Sequence, residues 1–102
     1  MKTPHECESI DDIRQAIDAI DHEIVASIGR RFDFVKEVMR FKTTEADVRA
    51  PQRYQAVLDQ RRMWAEEAGL PPDRIKGMYR LLIDYFIDHE LDELAQNEAD
   101  RA

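Results

Sequence analysis

The sequence has a single cysteine, Cys7, which can close no intrachain disulfide. That usage fits a reducing compartment, and a cytoplasmic protein is expected. No stretch of about 18 consecutive apolar residues occurs, so no membrane-spanning helix is expected. Residues 1–9 lack the apolar centre of a secretory leader. Basic side chains are the minority: 15 Lys and Arg face 22 Asp and Glu, for a formal net charge of −7. That balance disfavours nucleic acid and anionic membrane as main partners, because both select a basic surface. A Gly-rich phosphate loop and a nucleophile elbow are missing. His5, His22 and His89 are not spaced as metal ligands and form no cluster with Cys7. An enzyme built from this chain would therefore hold and polarise its substrate, without a metal, a cofactor or a covalent intermediate. There is no internal repeat, low-complexity tract or alternating strand pattern.

What the chain has instead is helical periodicity. Ile10, Ile13, Ile17, Ile20, Ile24 and Ile28 recur at three-and-four spacing. The pattern predicts one helix from Ser9 to roughly Thr43, about 35 residues and about 50 Å long. Ser9 is a good N-cap, Asp12 completes a capping box in its Asp form, and Asp11 and Asp12 suit the positive end of the helix dipole. Gly29 is the only breaker inside it. At 102 residues the chain is expected to be a single domain, with residues 1–8 and 96–102 as a flexible leader and tail. The residues left over are too few to cover so long a helix, so a helical dimer that shares helices is the natural remedy.

Residues 43–50 show no clear apolar face and read as a connection. Pro51 suits the first turn of a second helix running to about Ala68, with Tyr54, Val57, Leu58, Arg61, Trp64 and Ala65 on its stripe. Gly69 ends it. Pro71 and Pro72 punctuate the next turn. A third helix carries Ile75, Met78, Tyr79, Leu82, Ile83, Phe86, Ile87, Leu91 and Leu94, and the sequence then turns polar. The fold class expected is all-α, three helices per chain with a long first helix.

Past Ile28 the first stripe continues through Arg31, Val35, Val38 and Lys42, so a face that should be buried carries two cations. On one helix Arg31 and Lys42 would share a face about 16 Å apart. Their heads can grip a small anion from opposite ends over a floor of Val35 and Val38, Arg as a fork for a carboxylate and Lys as a point charge. Alternatively, both heads snorkel to water and only their stems are covered. Arg14 lies about 100° around and about 25 Å along the helix from Arg31, so one straight helix cannot bring both to one ligand. Arg14 is then either a solvated surface residue or a contribution from a second chain. Glu90 also falls on the third-helix stripe; it faces water at the edge, or it hydrogen-bonds a ligand or pairs with Lys42 or Arg31. Trp64 reads as a packing residue.

The run Asp12-Ile13-Arg14-Gln15-Ala16-Ile17-Asp18-Ala19-Ile20-Asp21, then Gly29-Arg30-Arg31, then Phe41-Lys42, resembles the all-helical chorismate mutase family. Met1-Lys2-Thr3-Pro4 with Cys7, Ala50-Pro51 with Arg53, and Trp64-Ala65-Glu66-Glu67 with Gly69-Leu70 are most similar to its salicylate-forming branch, the isochorismate pyruvate lyases. The resemblance implies an intertwined homodimer with two equivalent sites and a small-molecule substrate, isochorismate or chorismate. Arg14 would reach into the partner chain's site, Arg31 and Lys42 would be the same-chain cations, and residues 43–50 would form a lid. Val35, Val57, Phe86 and Ile87 would line the pocket. The implied reaction is pericyclic: Arg14 and Arg31 hold carboxylates in a reactive conformer, and Lys42 stabilises charge near the ether oxygen. Lys42→Ala is expected to lower kcat by orders of magnitude with little loss of fold. By family association the product would feed siderophore synthesis.

Two positions depart from the family pattern. Its mutases carry Asp-x-x-Arg-Glu at the start of the second helix, where this chain has Pro51, Tyr54 and Gln55. That loss favours the lyase branch, and Arg53 is a candidate substitute cation. Glu90 stands where the lyase-like proteins have glutamine. An ionised Glu90 would repel a dicarboxylate, so it is expected either protonated or in a salt bridge to Lys42. The competing readings are a chorismate mutase proper, a non-catalytic helical dimer that binds a small carboxylate or a protein, and a purely structural helical dimer.

Overall fold

The computed structural model describes residues 2–101. Among them there are helices and turns and no strand. Met1 and Ala102, the outer residues of the expected leader and tail, lie outside the described residues. The chain divides into two compact units, one through Phe34 and one from Val35 onward.

In the first unit a 3-10 turn, Pro4–Glu6, precedes helix α1, Ile10–Val38. Ser9 Oγ accepts the N–H of Asp12 at 3.1 Å, and Asp12 Oδ2 accepts the N–H of Glu8 at 3.1 Å. The Ser9 cap is therefore present, but the Asp12 carboxylate accepts from Glu8 and not from the Ser9 N–H, so the reciprocal bond of the expected box is replaced by one a residue further out. The isoleucine stripe is exposed in the single chain, from 36 % at Ile28 to 61 % at Ile10. No residue of α1 is buried.

The second unit holds the last turn of α1, a 3-10 turn Met39–Phe41, and helices α2 (Glu45–Arg49), α3 (Pro51–Glu67) and α4 (Pro72–Arg101). Helices α3 and α2 each pack on α4. The core is formed by Val57, Leu58 and Ala65 of α3, Phe86 and Leu94 of α4, Val48 of α2 and Met39. Gly69, at φ 73°, closes α3 as a Schellman motif: Leu70 N–H bonds Ala65 O at 2.8 Å and Gly69 N–H bonds Glu66 O at 3.1 Å. Arg62 Nε to Asp73 Oδ1, 2.8 Å, ties α3 to the first turn of α4.

Two sequence expectations are corrected. The first helix ends at Val38, not near Thr43. Residues 43–50 are not a bare connection, because they contain α2. The last helix runs past Leu94, through the polar residues that follow it, to Arg101. There Ala, Gln and Glu are good helix formers, and Gln96 bonds Asp100 at 3.0 Å across one turn, so the segment needs no apolar partner to remain helical.

Candidate active site

The end of α1 determines where Lys42 goes. In a continuous helix the N–H groups of Thr43 and Thr44 would bond back to the carbonyls of the preceding turn. Here Asp47 Oδ2 takes both, at 3.1 Å and 3.2 Å. The chain tightens into the Met39–Phe41 turn, and Lys42 becomes extended at φ −113°, ψ 124°. Lys42 therefore lies beyond the end of α1 and is not a helical residue. From this position its side chain crosses to α4, where Nζ meets Glu90 Oε1 at 3.0 Å.

Glu90 is the buried polar residue of the described chain, 4 % exposed as a whole residue. The Lys42 side chain is 20 % exposed. Of the arrangements open to Glu90, the structure shows the ion pair with Lys42 rather than a carboxylate facing water. Burying a carboxylate is costly unless it is paired, and Lys42 supplies the pair. The pair carries no net charge, so Glu90 offsets the attraction of Lys42 for an anion.

The segment after Lys42 is held at three points. At its N-terminus Thr44 Oγ1 accepts the Asp47 N–H at 3.0 Å, which completes a capping box. The bond from the Thr43 N–H, with those from both threonine side chains and the Thr44 N–H, holds the exposed Asp47 carboxyl below its ordinary value. In the middle, Val48 is 2 % exposed and packs with Met39 and Leu94, flanked by Ile87 and Leu91. At the end, Ala50 adopts φ 36°, ψ 63°, the left-handed region, and starts α3. Asp47 and Val48 were missed as structural residues. The signal was present: Thr44-x-x-Asp47 is the same pattern that marked Ser9 and Asp12.

The other candidates are distributed between the two units. Arg14, exposed, and Arg31, half-buried, belong to α1 in the first unit. In the second, Val57 and Phe86 are buried, Val35 and Ile87 are half-buried, and Arg53 is exposed on the first turn of α3. Where the mutases have their second-helix motif, Tyr54 donates to Asp84 Oδ1 at 2.9 Å and Gln55 to Asp59 Oδ1 at 2.9 Å. Desolvation, then the neighbouring Asp84, pushes the Tyr54 phenol up from its usual value. A groove of about 480 Å³ is lined by Arg49, Pro51, Tyr54, Asp84, Ile87 and Asp88. Its two aspartates make it a poor dianion site, and it borders Ile87 without reaching Lys42. Trp64 is 47 % exposed rather than packed inside, and its ring carries the Arg61 guanidinium at 4.6 Å. Among the described residues no helix is long and apolar enough to cross a membrane, and no three His, Cys, Asp or Glu side chains gather as they would around a metal ion.

Residues 13–91 match the model of the chorismate mutase type II family. The chain belongs to that family. Within it, the chain is 45 % identical over 91 residues to an isochorismate pyruvate lyase of Pseudomonas aeruginosa, covering 89 % of this chain and 90 % of that protein. It is 34 % identical over 74 residues to the T-protein of Haemophilus influenzae, covering 72 % of this chain and 20 % of that protein. Chorismate mutase type II is an enzyme family, and this member keeps Lys42 half-buried and paired with Glu90 in the region of the match.

Proposed function

We propose that the protein is an isochorismate pyruvate lyase, converting isochorismate to salicylate and pyruvate. The observation that carries this reading is the likeness, along nearly the whole of both chains, to the Pseudomonas aeruginosa isochorismate pyruvate lyase. In the reaction a hydrogen moves from the ring to the methylene carbon of the enolpyruvyl side chain as the ether C–O bond breaks. The ring then becomes aromatic, and the side chain leaves as pyruvate. Lys42 offsets charge developing at the ether oxygen, an electrostatic contribution. Arg31 and Arg14 hold the carboxylates in the folded conformer that reacts, an entropic one. Arg53 is a further substrate cation, and Val35, Val57, Phe86 and Ile87 shape the pocket. The working unit is a homodimer in the cytoplasm, with Arg14 supplied by the partner chain. The exposed isoleucine stripe of α1 supports the dimer, since about 25 cal/mol per Å² favours covering it. The second reading is a chorismate mutase that makes prephenate, favoured by the family match.

The test is a product assay in which purified protein receives isochorismate and chorismate separately. Salicylate and pyruvate formed faster than prephenate establish the lyase. Faster prephenate formation transfers the assignment to the mutase. Binding without turnover of either leaves a carboxylate-binding dimer.

A further inference from the structure

Lys42 owes its position to a backbone that leaves the helix, and one exposed side chain holds that backbone in its departed form. Asp47 Oδ2 accepts from the Thr43 N–H at 3.1 Å, the Thr44 N–H at 3.2 Å and the Thr43 hydroxyl at 3.5 Å. Those amides belong to the two residues that directly follow Lys42. Without the carboxylate they would be drawn to the helix carbonyls behind them or to water. Asp47 is also adjacent to Val48, which seats α2 against Met39, Ile87, Leu91 and Leu94. Glu90 lies on the same turns of α4 as those three α4 residues. The carboxylate thus joins two placements: the backbone leaving Lys42 and the seat of α2 beside the residue Lys42 binds.

From this geometry we infer that Asp47 is a positioning residue for Lys42. It holds α2 folded and Lys42 aimed at the Glu90 position before any substrate arrives, although it touches neither Lys42's side chain nor the reacting atoms. A preformed segment carries no ordering cost at binding; a loose one adds that cost to the apparent affinity. The inference rests on the lyase reading for its kinetic consequence and on the structure alone for its conformational one.

The experiment uses the full-length protein and the variants Asp47→Ala and Asp47→Asn. Amide hydrogen exchange is followed at Thr43, Thr44 and Val48, and steady-state kinetics on isochorismate are run alongside. In Asp47→Ala, exchange at the three amides accelerates. KM rises about tenfold while kcat stays within about threefold, because the segment must now order on binding. Asp47→Asn keeps an amide oxygen as acceptor and recovers most of both. A role limited to stability would lower the melting temperature and leave KM unmoved. Unchanged exchange in Asp47→Ala, or faster exchange with unchanged kinetics, overturns the inference. Absence of turnover by the unaltered protein would count against the lyase reading alone; exchange then decides whether Asp47 orders the segment, and unchanged exchange would still overturn it.

Discussion

Lys42 Nζ and Glu90 Oε1 stand 3.0 Å apart, and the Glu90 side chain is only 6 % exposed. The two residues are not interchangeable in what their loss would do. Removing Lys42 strands a buried carboxylate, whereas removing the charge of Glu90 leaves an ammonium that can still reach water.

Lys42→Ala is therefore expected to cost about 3–5 kcal/mol of stability, the scale for breaking a buried ion pair from one side. From the sequence alone, the expectation is the opposite: little loss of fold in this variant. Glu90→Gln, which keeps an oxygen to accept from Lys42, is expected to cost clearly less. The double variant Lys42→Ala/Glu90→Gln should be more stable than Lys42→Ala alone. Urea denaturation of the three variants measures this. Equal losses in all of them would mean the pair is not buried in solution.

Glu90→Gln removes a charge that repels a substrate anion and leaves that of Lys42. The variant is expected to bind isochorismate more tightly than the parent, read as a lower KM in steady-state kinetics. An unchanged KM would mean that the substrate displaces Glu90 from Lys42 at no cost.

The cap at α2 gives a separate acid signature. Hydrogen bonds from Thr43 and Thr44 hold the Asp47 carboxyl below its ordinary value of 3.8. A carboxylate lowered on folding contributes stability that is complete above the unfolded value and is lost as the pH falls through the folded one. The difference in melting temperature between the parent protein and Asp47→Asn should thus stay constant from pH 7 to about 4 and shrink only below that. A difference that already shrinks near pH 6 would assign the effect to another group.

The dimer and the partner-supplied arginine are tested together by subunit mixing. Arg14→Ala and Arg31→Ala homodimers should each be nearly inactive. A mixed dimer of the two variants regains one intact site if Arg14 crosses to the partner and none if it serves its own chain. Recovered lyase activity on mixing, toward half of the parent value in isolated mixed dimers, is the expected result.

Much of the frame is legible in the sequence because helices announce themselves locally. Isoleucine spacing located α1, Pro51 and Gly69 bounded α3, and the stripe through Phe86 and Leu94 located α4, each from residues within a few turns of one another. The Ser9–Asp12 cap was read the same way. The identical pattern at Thr44–Asp47 was passed over because α2 is five residues long and too short for a periodic signal.

The sequence by itself determined an all-helical chain, the start of α1, the bounds of α3, and a pair of cations on a stripe that should have been apolar. It also named Lys42 as one possible partner of Glu90 among several. Only the tertiary structure decided the rest: that α1 stops at Val38, that Lys42 leaves the helix, and that Glu90 is buried against it. The reason is physical. Periodicity reports which face of one helix avoids water; the cap that diverts the backbone is a local pattern too short to be periodic, and a pairing 48 residues apart depends on groups from separate elements meeting in space.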